Sequence, residues 1–434
     1  MVVIYAAQYS SRLQYITSFI FNDLLHTPFQ ITTDSPDFNL SDDIKVCYDQ
    51  EINGLTIIAA NNLLFEKNVI SQQIRVGLID DFKTLFPTET DSTTVFPFDI
   101  FAASFYLLSR YEEYLPNEKD EHGRYYYRQS IAFKEGFLRQ PLINIWVKYF
   151  AEWLKEHEPS FQYELPKFTF IPTYDVDIAY EYTGQGVLKN FNHLFKSIVT
   201  LKPAKAKQQL DVLKGNTADP FDIFSDLIQL NKTYNIPGIF FLLTIFKKSK
   251  FDKNTIISDP KTKRLFKHLS ASTLTGLHPS YQSNNDDNLL LKEKNILESI
   301  LQEQQVNIRY HYLKFILPEG YTRLIKAGFT DDYSMGYGQV QGFRASVATP
   351  FDWYDLSGEE ITTLKIHPFC FMDSTSIFGL KHTPSQAFIE LQKLYNNCQN
   401  VGGECITIFH NHFMGQTYGD WKIAYEKFIQ NNCT

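Results

Sequence analysis

The chain has 434 residues, 44% of them hydrophobic and 21% charged, which excludes a disordered polymer and is long enough for two packed units. Its 41 basic and 49 acidic side chains leave a net charge of −8, so it lacks the basic field that displaces counterions from a nucleic-acid backbone. No window offers the roughly 18 uncharged apolar residues of a bilayer span, since the stretch around Phe240 is bounded by Pro237, Lys247 and Lys248; neither nucleic acid nor membrane is expected as a partner.

Met1 is followed by an apolar run with no positive region before it, which argues against export. The five cysteines, an odd number at scattered spacings, fit neither a disulfide framework nor paired zinc motifs, and a cytoplasmic location is expected. Leu55 to Ala60 reads as a buried strand. Ile100, Ala103, Leu107, Leu108 and Tyr111 recur at helical spacing after Pro97 and Asp99. Arg110, Glu112, Glu113, Lys119 and Asp120 read as a solvated face. A second long helix carries Leu142, Ile145, Trp146, Tyr149, Phe150, Trp153 and Leu154, with Pro141 suited to its first turn. From His157 to Lys167 no apolar period runs, and Pro159 and Pro166 break helix formation. The boundary is placed there, giving a smaller α/β unit over 1–160 and a second unit over 165–434.

Beyond the boundary, short apolar runs alternate with helix-period segments, the pattern of parallel strands joined by crossover helices. The predicted strands are Phe168 to Pro172, Gly238 to Thr244, Thr273 to Leu277, Val306 to Tyr310, Val340 to Ala345, Leu364 to Ile366 and Cys405 to Phe409. Polar groups stand at their C-terminal ends: Asp175 and Asp177, His278, Arg309 and His311, Arg344, His367, then His410 and His412. In a parallel barrel that face builds the site, so one pocket can gather residues distant in sequence. A single histidine there is more often structural than a ligand; recurrence over several strands carries the argument.

Aspartate and neutral histidine suit a borderline divalent ion such as Zn²⁺, and Asp177 and His278 are the leading ligands. Asp175 would act as base, kept ionised by Arg309 or Arg344, and His410 would protonate a leaving amine or alcohol. The expected reaction is metal-assisted hydrolysis. Arg344, Tyr312 and His412 are the candidates for contact with substrate.

These motifs resemble the polysaccharide deacetylases, the NodB-homology group of carbohydrate esterase family four. Thr173-Tyr174-Asp175-Val176-Asp177 is similar to the family's first motif, whose first Asp is the base and whose second binds metal. His278-Pro279-Ser280 resembles the start of the second, which normally adds a histidine where this chain has Gln282. Arg309-Tyr310-His311-Tyr312 is similar to the third, whose Arg orients the base, although His311 stands where Pro is usual. Ile408-Phe409-His410 resembles the last, whose His is the acid. The resemblance covers roughly residues 165–434. It implies a distorted (β/α)7 barrel and removal of N- or O-acetyl groups from a sugar or glycan, as a hydrolase of carbon–nitrogen bonds other than peptide bonds. His311 is expected to replace the missing ligand beside Asp177 and His278. The alternative implied by Gln282 is a catalytically decayed barrel that binds a glycan or sugar nucleotide.

Overall fold

Apolar, β-branched Val2–Ala6 (β1) is buried along its whole length, as suits a strand flanked on both edges. It pairs in parallel with Phe29–Thr32 (β2) and Ile44–Tyr48 (β3), and β3 pairs in parallel with Thr56–Ile58 (β4). The computed structural model describes residues 1–48, 55–89, 94–415 and 418–433. An antiparallel hairpin, Val76–Ile79 (β5) and Phe82–Leu85 (β6), follows. Helix Ile100–Leu108 starts where the Asp99 carboxylate accepts from the Ala102 N–H, and every residue of the helix is buried. The second predicted helix runs over Leu142–His157, its apolar stripe turned to the core.

A second sheet carries Thr169–Val176 (β7), Ile239–Thr244 (β8), Leu274–Pro279 (β9), Asn307–Ile308 (β10), Asp331–Asp332 (β11), Phe351–Asp355 (β12), Glu360–Ile366 (β13), Phe369–Met372 (β14) and Glu404–His410 (β15). Its order is β12-β13-β11-β10-β9-β8-β7-β15-β14, and among the described pairings β12 with β13 is the antiparallel one. β7, between β8 and β15, is buried from Pro172 to Val176. The sheet is open at β12 and β14, so in place of the expected distorted (β/α)7 barrel the strands form an open, mostly parallel α/β sheet.

Val340 to Ala345 is not a strand. Its backbone crosses between Leu138 and Cys370: the Gly342 N–H donates to the Cys370 carbonyl at 2.9 Å and the Phe343 N–H to Leu138 at 2.8 Å. Gly342 has φ +129°, and a Cβ there would meet the Leu138 carbonyl oxygen at 2.4 Å, so the crossing requires glycine. Apolar composition alone does not separate such a buried loop from a strand.

One apolar core runs through both parts, joining Phe105, Phe150 and Leu154 to Tyr354, Leu364 and Phe409. Polar ties accompany it: Asn144 Nδ2 donates to Thr349 Oγ1 at 2.8 Å, and Arg12, 1% exposed, bonds Glu359 and the Leu63 carbonyl. The Arg110, Glu112, Glu113 group, expected at the surface, is buried as well. Glu113 accepts from Arg110 Nε at 2.9 Å and from Arg344 Nη2 at 2.6 Å. Burial alone would push its carboxyl up, but Arg344 and Arg110 overcome that and hold it down at about 2. Replacing Glu113 by Gln leaves Arg344 without a carboxylate partner in the core and Arg110 with Glu112 alone, and is expected to cost about 3–5 kcal/mol, read as a fall in the urea midpoint. Arg344→Met, which removes one charge of the excess, is expected to recover part of that loss in the Glu113→Gln background.

Candidate metal centre

The C-terminal ends of β7, β9, β10 and β15 converge. β7 and β15 run in register to Asp175 opposite His410, and β9 brings His278 alongside. One ligand atom from each of Asp177, His278 and His311 lies within 4.8 Å of the others. His278 Nε2 stands 3.2 Å from Asp177 Oδ1 and His311 Nε2 3.7 Å from Oδ2, while His410 Nε2 reaches Oδ2 from the far side at 3.5 Å.

Each imidazole is aimed by its other nitrogen. His278 Nδ1 is 2.6 Å from the Arg309 carbonyl, His311 Nδ1 is 3.0 Å from the Asp252 carboxylate, and His410 Nδ1 is 2.6 Å from Asp373. Because a carbonyl only accepts, His278 donates from Nδ1, and that bond directs its Nε2 toward Asp177. Asp177 Oδ1 is buried with no hydrogen-bond partner among the described residues. A buried carboxylate oxygen without a hydrogen-bond partner, set beside two imidazole nitrogens, is an arrangement that suits a cation, and the donor set of one carboxylate and two imidazoles fits a divalent ion with a position left open.

The charges agree with that. Burial would raise the Asp177 carboxyl, yet His311, His278 and His410 together hold it well below the usual carboxylate range. His311 is opposed by its own burial and still pushed up to about 9 by Asp177 and Asp252. His410, likewise desolvated, is pushed up to about 10, chiefly by Asp373 and then by Asp177. Asp175 sits beside this group, its Oδ1 accepting from Arg309 Nη1 at 2.7 Å. Arg309 is fully buried, stacks on Phe241 at 4.2 Å and donates from Nε to the Tyr333 carbonyl.

Asp175, Asp177, His278, His311, Tyr312, His410 and His412 all line a cavity of about 600 Å³. His412 is drawn down to about 3 by burial and by neighbouring His410, and its buried Nδ1 lacks a partner among the described residues. Arg344 does not reach this cavity. Its guanidinium is spent on Glu113, and the predicted substrate contact is corrected accordingly. His367 stacks on Tyr333 and bonds Asp331, also away from the cavity lining. Gln282 is exposed and not among the lining residues, so the third corner of the ligand group falls to His311.

Asp252 and Asp373, which aim His311 and His410, were not anticipated. Asp373 follows the apolar run Phe369–Met372, a strand signal that marks it; Asp252 lies in a polar loop with no such signal. The N-terminal part also enters the cavity. Lys119 bridges Tyr125 across a turn in which Asp120 Oδ1 accepts the His122 and Arg124 N–H groups, and Gly123 takes φ +79°. From that turn Arg124 Nη1 donates to the Tyr312 carbonyl at 2.7 Å, and His122 packs with Tyr312 at 4.9 Å between ring centres. Tyr312, next to His311, has φ 60° and ψ 13°, an unfavourable left-handed backbone that this bond helps to fix.

Residues 2–159 match a family of unknown function (DUF7033). No curated protein matches the sequence. Among solved structures, a protein described as a polysaccharide deacetylase from Mycobacterium smegmatis aligns at 15% identity and TM-score 0.40, over 62% of this chain and 85% of that one. A polysaccharide deacetylase from Bacillus cereus aligns at 11% identity and TM-score 0.31, over 61% and 87%. IcaB from Ammonifex degensii aligns at 14% identity and TM-score 0.23, over 40% and 85%.

A cation must displace the proton that His311 holds up to about pH 9, so divalent-ion affinity is expected to rise with pH toward that value and binding to release protons. Calorimetric titration in buffers of different ionisation enthalpy measures both. Asp252→Asn is expected to weaken binding by about 10–100-fold.

Proposed function

We propose that the chain is a metal-dependent hydrolase that removes the acetyl group from an N-acetylated, or O-acetylated, sugar in a glycan or glycan precursor. The observation that carries this reading is the pairing of two differently held carboxylates. Asp177 faces two imidazoles, whereas Asp175 beside it is aimed by Arg309 and has Oδ2 3.8 Å from His278 Nε2. Asp177, His278 and His311 would hold the ion, and zinc best matches their borderline nitrogen and oxygen donors. Such an ion supplies Lewis acidity to the acyl carbonyl and to the attacking water.

The remaining steps fall to the chain's own side chains. Asp175 takes the proton of the water, and the Arg309 contact fixes the direction from which its oxygen does so. His410, kept charged at neutral pH by Asp373 at its Nδ1, delivers its Nε2 proton to the leaving nitrogen or oxygen. His412, neutral and lining the same cavity, and Tyr312 on its other wall are placed to contact the sugar. The place of His311 beside Asp177 and His278 supports this reading over that of a decayed site.

Protein purified without chelator is expected to carry one zinc per chain and to release acetate from N-acetylated oligosaccharides. Asp175→Asn is expected to lower that rate by about 10²–10⁴-fold while retaining the metal. Undiminished acetate release in this variant would remove the base assigned here. Activity is lost as pH rises past the point where His410 gives up its proton, so Asp373→Asn is expected to move the alkaline limb of the rate profile to lower pH.

A further inference from the structure

The helix Val187–Val199 begins one loop after Asp177 and turns its apolar side outward. Val187 is 89% exposed, Phe191 63% and Leu201, just past the helix, 88%; Leu188, Phe195, Ile198 and Val199 are exposed as well. Among the described residues of this helix Ser197 alone is buried. The apolar positions recur at helical spacing, so they form one stripe, and the sheet does not cover it. The following helix, Pro203–Lys214, packs alongside and leaves an apolar cleft of about 430 Å³ lined by Val187, Phe191, Leu194 and Leu213. Exposed aromatic and aliphatic groups in such number cost solubility and mark a surface meant for contact.

The charge around the stripe identifies what covers it. Residues 186–215 contain Lys189, Lys196, Lys202, Lys205, Lys207 and Lys214 against Asp211 alone, six positive charges to one negative, in a chain whose net charge is −8. Lys205 is paired with Glu181 at 2.9 Å, while Lys196, Lys202, Lys207 and Lys214 are exposed. An apolar stripe of Phe, Leu, Ile and Val bordered by lysines is the pattern of a helix lying in the plane of an anionic lipid surface. An anionic bilayer supplies both components at once, an apolar interior for the stripe and negative headgroups for the lysines.

We infer that the helical pair 187–214 docks the protein on an anionic bilayer surface, with Phe191, Phe195 and Leu201 inserted among the lipids and the lysines at the headgroups. No helix among the described residues is long and apolar enough to cross a membrane, so the attachment is peripheral. The docking face lies on the strand-end side of the sheet. Lys189 of this helix and Lys248 share the Gln185 side-chain oxygen, and Lys253, five residues on from Lys248, lines the candidate site's cavity. Resting on the hydrolase reading, one further step follows: the substrate is a glycan carried at the membrane surface on a lipid.

The test uses the full chain and vesicle flotation. Vesicles of phosphatidylglycerol and phosphatidylcholine in equal parts are expected to carry the protein upward, with at least tenfold weaker binding to phosphatidylcholine alone and weakening by salt. Phe191→Asp with Phe195→Asp is expected to abolish flotation, and Lys196→Glu with Lys202→Glu to lower it by about tenfold or more, both with unchanged circular dichroism and metal content. Absence of flotation by the unaltered protein, equal binding to both vesicles, or variants that bind like the parent would overturn the docking face. So would a dimer in solution that the phenylalanine variant dissolves while vesicles remain unbound. Flotation needs no catalysis, so its outcome is separate from that of the hydrolase reading. For the substrate step, the phenylalanine variant is expected to lose at least tenfold in acetate release from a vesicle-held N-acetyl glycolipid and to keep its rate on the free glycan; equal loss on both sinks that step.

Discussion

Two carboxylates are taken out of water at the end of one strand, and the surroundings of that strand are arranged to make this tolerable. An ionised aspartate in a buried position requires a positive or hydrogen-bonding counterpart nearby, or it neutralises. Asp175 is answered by Arg309, itself enclosed by Phe241 and the Tyr333 carbonyl. Asp177 is answered by three imidazoles arriving from different strand ends. Those imidazoles are in turn aimed by Asp252, Asp373 and a backbone carbonyl. Neighbouring aspartates therefore end with different partners, and different partners are what allow two chemically identical groups to do different work.

Much of this was legible in the sequence because parallel strands deliver their last residues to one face. Asp175, Asp177, His278, Arg309, His311, His410 and His412 were all read from their place at the end of an apolar run, and all but Arg309 line the cavity, Arg309 standing behind Asp175. The same rule failed for Arg344 because Val340 to Ala345, apolar enough for a strand, is a buried loop held to Leu138 and Cys370. It failed for Glu113 in the opposite sense. A run of charges looks solvated until a partner from far along the chain neutralises it, and Arg344 lies too distant in sequence for any local pattern to reveal that pairing. Closure of the sheet was equally out of reach, since the pairing of its two outer strands leaves no mark on either strand's own residues.

The helical pair after Asp177 went unread for a related reason. Its period is strong, and an apolar stripe at helical spacing is ordinarily a core face. Only the three-dimensional arrangement reveals that, among the described residues, Phe191 and Phe195 are left largely uncovered. Amphipathic patterning states that a face will be covered; it does not state by what.

The turn at Asp120 to Arg124 brings the first third of the chain to the cavity, where Arg124 bonds the Tyr312 carbonyl and His122 packs on the Tyr312 ring. A change confined to that turn would therefore reshape the entrance while leaving the contacts of Asp175 and Asp177 as they are. The wall of the entrance and the floor of the cavity thus belong to distant stretches of one polypeptide, held in place by the core they share.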